Sequence, residues 1–290
     1  MQKTIKLIDS VGNEIGSTYP KRAKGLIKSG RAHMISDDTI CMLSMPREDI
    51  LEDKVKRNPT EDYFDDVTKP KGLRKITIPN YNLGEELFNS ISHGIGAALS
   101  IVALILCIIA GAKHHNVYAI ISGIIYGLTS ILLYIISCLY HSLKVNRAKK
   151  VFRILDHCTI YFLIAGTYTP YALVTLREYN PILGWSLFGV IWACAALGIV
   201  LTAIDLNKYK VFGMILYLIM GWMILFNFKS MIAAIDRNGL YLMLTAGVVY
   251  TIGAILYGIG KNKKYYHSIF HFFVLAASVF FFLSIYLYVM

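Results

Sequence analysis

The chain has 290 residues, of which 56% are hydrophobic and only 16% charged, whereas a soluble domain carries roughly a quarter charged residues. An ordinary soluble fold is thereby excluded, and the bilayer is the expected solvent. The formal charge of +11 comes from 29 Lys/Arg against 18 Asp/Glu, but the cations of the apolar part sit in short loops, where membrane topology accounts for them and nucleic-acid binding is not expected.

The five cysteines, Cys41, Cys107, Cys138, Cys158 and Cys194, are isolated and form no CxxC pair. They indicate neither a disulfide framework nor a thiolate zinc site. The first twenty residues alternate polar and apolar types and include Asp9, Asn13 and Glu14, so the first internal helix is expected to drive insertion rather than a cleavable signal.

In chain order, Lys3 to Ile8 and Thr39 to Leu43 read as short strands, and Tyr19-Pro20-Lys21 to Ser29-Gly30 as a helix closed by glycine. Residues 1–46 therefore form a small α+β cytoplasmic module, with the expected role of a structural appendage or docking tab. Its segment KRAKGLIKSGRAHMI resembles an N-terminal module found on various bacterial proteins. Residues 47–84 have the Asp, Glu, Lys and Pro content of a charged linker. Residues 85–290 form the membrane domain.

Seven apolar runs follow: Ile91 to Ala112, Val117 to Tyr140, Val151 to Val174, Ile182 to Ile204, Val211 to Phe228, Gly239 to Gly258 and Tyr266 to Val289. Each approaches the roughly 20 residues needed to cross about 30 Å of hydrocarbon. The fold class is an all-α membrane protein, a bundle of seven transmembrane helices. With the N-terminus inside, the inner loops hold Lys144, Arg147, Lys149, Lys150, Lys208, Lys210, Lys261, Lys263 and Lys264, and the outer loops only Lys113, Arg177, Lys229 and Arg237. The positive-inside rule selects a cytoplasmic N-terminus. Glycines such as Gly96, Gly127 and Gly166 suit close helix packing, and the ring-rich stretch from Phe270 to Tyr288 reads as lipid-facing surface.

Four groups are costly in lipid: His141, Asp156, His267 and His271. The orientation puts all four in the cytoplasmic leaflet. His267 and His271 are one helical turn apart on one face and can present two imidazoles to one ion, with His141 as a third ligand. Three neutral nitrogens leave tetrahedral zinc an open position, which suits a catalytic site. A carboxylate at Asp156 can hold water there and take its proton, and Ser137, one turn deeper than His141, can donate to a developing oxyanion. Other readings stay open at this point: interfacial histidines, a Ser137 hydroxyl bonded to its own helix, and an Asp156 that relays protons or pairs with Arg153. Glu86, Asn89 and His93 share a helix face and either line the site mouth or serve as a first-turn acid and a cap. His157 points about 100° away from Asp156 and is left out of the ligand set.

S-C-L-Y-H at Ser137 to His141, L-D-H-C-T-I-Y at Leu155 to Tyr161 and H-S-I-F-H at His267 to His271 resemble the three motifs of the hemolysin III family. That family lies in the progestin and adipoQ receptor superfamily, which resembles the alkaline ceramidases. N-x3-H-G-x-G at Asn89 to Gly96 resembles the start of its first helix. The resemblance covers about Glu85 to Met290 and implies zinc held by His141, His267 and His271, water held by Asp156 and support from Ser137. The implied function is a zinc-dependent hydrolase of lipid amide or ester bonds in membrane lipid homeostasis, in the bacterial plasma membrane. The alternative is a cytolytic pore former or lipid sensor in which zinc is structural. Membrane lipids are the expected partners, with no obligate protein partner.

Overall fold

A computed structural model describes residues 4–29, 31–42, 76–260 and 263–290. The chain divides into two compact units, residues 1–69 and 70–290. Most of the stretch read as a linker, residues 47–75 of 47–84, lies outside the described residues.

In the first unit, β1 (Ile5–Ile8), β2 (Glu14–Thr18), β3 (Ala32–Ser36) and β4 (Thr39–Met42) form one sheet in the order β2-β1-β4-β3. The two central strands run parallel, with Leu7 opposite Ile40. The helix α1 (Pro20–Lys28) makes the crossover, and Ile5, Ala23, Ala32 and Ile40 are buried between helix and sheet. Proline in its first turn suits a helix start, because the missing N–H there has no partner to lose. The two expected strands and the helix are present. The two edge strands went unread because β2 is largely polar and both edges are mostly exposed, so neither shows an apolar alternation.

Among the described residues, the second unit contains seven helices long and apolar enough to cross a membrane: α2 (Leu83–Lys113), α3 (Val117–Ser142), α4 (Arg147–Tyr179), α5 (Pro181–Ile204), α6 (Lys210–Ala234), α7 (Arg237–Ile259) and α8 (Tyr266–Tyr288). Asn82, Asn116, Asn146, Asn180 and Asp236 each accept a hydrogen bond from a first-turn N–H, so polar caps start five of them. At α2 the cap is complete: Glu85 N–H donates to Asn82 while the Glu85 carboxylate accepts from Asn82 N–H, both at 2.9 Å. This box moves the start of the helix to Leu83, eight residues before the apolar run begins, and places Asn89 inside the helix rather than at its cap.

Helix α4 is the least apolar span and the most enclosed, with 83% of its apolar stretch buried. Protein rather than lipid surrounds its polar groups, as their cost in hydrocarbon requires. Pro170 cannot donate to a carbonyl one turn back, and the helix loosens directly after it into a π-helical stretch over Tyr171–Leu176. Helix α6 is likewise interrupted, by a 3-10 turn at Met223–Asn227. Helix α8 packs between α2 and α7. Two hydroxyl relays hold it there: Tyr134 of α3 and Tyr250 of α7 both reach Ser278, at 2.7 and 2.9 Å, and Tyr171 donates to Ser284, which donates to the Gly239 carbonyl. The rings of α8 are split between environments: Phe272 is exposed on the bundle surface, whereas Phe281 lines an internal cavity and Phe270 packs on Tyr257. The lipid-facing expectation holds for part of the stretch only.

Glycines bring α2 and α3 together. A Cβ at Gly127 would lie 2.6 Å from Leu104 Cβ and 2.9 Å from its Cα, and the backbone cannot swing away as a side chain could. Gly127→Ala is expected to destabilise the bundle by about 1–3 kcal/mol, read as a lower melting temperature in detergent, whereas Gly189→Ala, which meets nothing within 4 Å, should leave it unchanged.

Candidate metal centre

Three histidines meet at the end of the bundle where α2 and α8 begin and α3 ends. His141 lies in the last turn of α3, His267 and His271 in the first two turns of α8. His267 Nε2 is 3.3 Å from His141 Nε2 and 3.0 Å from His271 Nε2, and all three ligand atoms lie within 4.8 Å of one another. Nitrogens on tetrahedral zinc, at about 2.0–2.1 Å from the ion, would be separated by roughly 3.4 Å. The donor set, its spacing and its burial therefore fit one small divalent cation, and the orphaned Nδ1 atoms of His267 and His271 show that the two rings are not turned to satisfy protein groups instead.

The orientation of His141 is set by a carboxylate. Its Nδ1 is 2.6 Å from Glu86 Oε2, and the other oxygen, Oε1, accepts from Lys149 Nζ at 2.6 Å. A carboxylate only accepts, so the His141 proton sits on Nδ1 and the Nε2 lone pair is left facing the cluster. Lys149 is buried near the positive N-terminal end of α4, a poor place for a cation by itself; Glu86 and the Leu143 carbonyl, at 2.9 Å, compensate it. Asn89 Nδ2 lies 3.5 Å from the same His141 nitrogen. His93 lies against His271 with ring centroids 3.8 Å apart and planes tilted by 30°, and it meets Tyr134 edge-on. It is part of the surroundings of the cluster, outside the group of three converging nitrogens.

A second acid, Glu85, ties the two helix starts together. Besides completing the cap of α2, it accepts from the Tyr265 backbone N–H at 2.6 Å, and Tyr265 takes a left-handed φ of 64° as it enters α8. Two residues later comes His267. Tyr81, just ahead of α2, stacks on His267 with centroids 4.9 Å apart and planes 13° from parallel. Burial raises its phenol well above the ordinary tyrosine value and keeps it neutral.

A cavity of about 410 Å3 opens between α4, α6, α7 and α8, within the size range of ligand pockets. His93, Ser137, Asp156, His157, His267 and His271 form its polar end, and Leu163, Val274, Trp222 and Phe281 are among its apolar walls. Asp156 and Ser137 thus share a wall with two of the three histidines. Arg153 donates to the Thr77 carbonyl, and among the described residues no ion pair joins it to Asp156. His157 stays outside the three-nitrogen cluster, yet its ring lines the cavity with Nδ1 2.9 Å from the Arg153 carbonyl. A carbonyl only accepts, so the ring donates from Nδ1.

Sequence reasoning missed Lys149, Glu85 as a clamp, and Tyr81. The Asn-x-x-Glu pattern at Asn82 to Glu85 was a readable capping signal. Nothing local marks Lys149, which meets Glu86 from 63 residues away, or Tyr81, which lies in a stretch of linker composition.

Comparison with known proteins agrees with the motifs. The profile of the Haemolysin-III related family matches residues 81–282. Hemolysin-3 of Bacillus cereus is 40% identical over 216 residues, covering 74% of this chain and 97% of that protein. The Hemolysin-3 homolog of Bacillus subtilis (strain 168) is 37% identical over 198 residues, covering 68% and 91%. The human Monocyte to macrophage differentiation factor is 31% identical over 165 residues, covering 54% and 66%. No solved structure matches the chain. With seven apolar helices and a match over most of its length, this multi-pass membrane protein belongs to the haemolysin-III-related family, the one its histidine and aspartate motifs resemble.

Proposed function

We propose that the protein is a zinc-dependent hydrolase of lipid amide or ester bonds, acting in membrane lipid homeostasis from the bacterial plasma membrane with its N-terminus in the cytoplasm. The observation that carries this reading is the convergence of three imidazole Nε2 atoms beside the polar end of an apolar cavity whose wall also bears Asp156 and Ser137. Zinc is the metal best matched by three neutral nitrogens at this spacing, and when bound it supplies Lewis acidity and makes water a nucleophile near neutral pH.

His141, His267 and His271 would hold the ion, with Glu86 fixing the His141 ring. The Asp156 carboxylate takes a proton from the attacking water as its oxygen bonds to the substrate carbonyl carbon. It returns that proton to the departing amine or alcohol when the carbon–nitrogen or carbon–oxygen bond breaks. The Ser137 hydroxyl donates to the carbonyl oxygen as negative charge builds on it. The apolar walls accept the acyl chain and keep bulk water from the reacting bond. Cytoplasmic placement of this end rests on the loop cations, which are concentrated on its side of the bundle.

The name Hemolysin-3 carried by the Bacillus relatives favours a second reading, cytolysis with zinc as a structural brace. Buried hydroxyls argue against a built-in aqueous path: Ser100, Thr129, Ser130, Thr167 and Thr169 each donate to a carbonyl of their own helix. Such groups are already satisfied and need no water.

The two readings part in a release assay. Purified protein incubated with a broad panel of amide- and ester-linked lipids should liberate fatty acid, and Asp156→Ala should lower turnover by about 10²–10⁴-fold without loss of bound zinc. Absence of release from every lipid by the zinc-loaded wild type would exclude the hydrolase. A second expectation concerns the Glu86–His141 contact: Glu86→Gln should weaken zinc binding by about 10–100-fold in a competition titration, while Glu178→Gln, in the last turn of α4, leaves it unchanged.

A further inference from the structure

The chain just ahead of α2 crosses the histidine cluster as a strap. Ile76 is buried, with 6% of its surface exposed. Arg153 of α4 grips the strap near its start by donating to the Thr77 carbonyl. At its end the Asn82 N–H donates to Glu85, which also holds the Tyr265 N–H at the start of α8. The strap is thus fastened to α4 on one side and to α2 and α8 on the other. Between these anchors, Tyr81 stacks on His267 at 4.9 Å and tilts against His141 at 5.7 Å.

Tyr81 and the cavity take different sides of the cluster. His267 and His271 line the cavity, whereas Tyr81 and His141 do not. One side of the three nitrogens is therefore covered by a ring borne on chain outside the membrane spans, and the other meets an apolar space among α4, α6, α7 and α8. An aromatic ring stacked on a ligating imidazole leaves no room for a hydrated solute to approach along that face.

We propose that Tyr81 is a specificity-determining residue that seals the water-facing side of the His141, His267 and His271 cluster, so that reactants reach it only from the cavity and the site selects membrane-embedded amphiphiles over water-soluble amides and esters. The selection of substrates rests on the zinc-hydrolase reading above; the seal itself rests on the strap geometry. Tyr81 packs on the rings of His141 and His267 but is not itself part of the cavity lining, so it acts on access and not on the bond-breaking steps.

The test is metal extraction from full-length, zinc-loaded protein in phosphatidylglycerol-containing nanodiscs, with charged, water-soluble EDTA compared with apolar 1,10-phenanthroline. Tyr81→Ala should speed zinc loss to EDTA by at least about tenfold while the rate with phenanthroline stays within about twofold; Tyr81→Phe, which keeps the stacked ring, should match wild type with both. An unchanged EDTA rate in Tyr81→Ala overturns the seal, as does equal acceleration with both chelators, which is the signature of a site loosened as a whole. If the wild type binds no zinc, the metal reading is what fails. The seal is then read on the same variants by carbethoxylation of His267 with diethyl pyrocarbonate, followed by mass spectrometry. A rate raised at least about tenfold by Ala and not by Phe upholds it, and equal rates overturn it.

Discussion

Three imidazoles that converge inside an apolar bundle, with His267 Nε2 3.3 Å from His141 Nε2 and 3.0 Å from His271 Nε2, are the constraint that the surrounding structure answers. Lone pairs packed this closely repel, and burying them without partners costs free energy that lipid and protein interior cannot return. A shared cation removes both penalties at once. It also explains why an apolar domain invests buried charge at this one end. Lys149 is ion-paired to Glu86, whose other oxygen accepts from His141, and Glu85 ties the entry of α2 to that of α8.

The geometry has to be held across long sequence distances, since His141 and His267 are 126 residues apart. The bundle does this with hydrogen bonds placed where α8 meets its neighbours. Ser278 is reached by tyrosines from α3 and α7, so rotation or sliding of α8 would break two contacts as well as displace two histidines. Deeper in the bundle Tyr171 and Ser284 add a second tie, at the π-helical stretch that Pro170 begins. Interhelical hydrogen bonds in lipid are each worth only about 1 kcal/mol, but here they fix register, which close packing of apolar rings leaves free.

Much of this was legible before any coordinates, because lipid makes polar residues conspicuous. Hydropathy located every span, and His141, Asp156, His267 and His271 stood out as groups that hydrocarbon penalises. Loop cations then suggested a common depth for them. What stayed hidden was the set of contacts that no local pattern announces. Glu86 reads equally well as a first-turn acid for the helix dipole, and only the fold reveals that it faces His141. Lys149 looked like one more loop cation. The helical angle argued for leaving His157 out of the ligand set, and its ring lies on the cavity wall, outside the three-nitrogen cluster. Tyr81 was overlooked because residues 76–82 have the composition of linker while packing as part of the site. The α2 start was misplaced because apolar content was weighed above the Asn-x-x-Glu cap.

The resulting picture is a site with two unlike sides, an aromatic cover on chain outside the spans and an apolar cavity within them, with acid and hydroxyl groups where the two meet. A metal ion is the element on which every chemical role in that picture depends. The most direct measurement is elemental analysis of purified wild type beside His267→Ala by inductively coupled plasma mass spectrometry. About one zinc per chain in the wild type, lost in the variant, is the result this account predicts. Zinc absent from both, or retained in full by the variant, would contradict it.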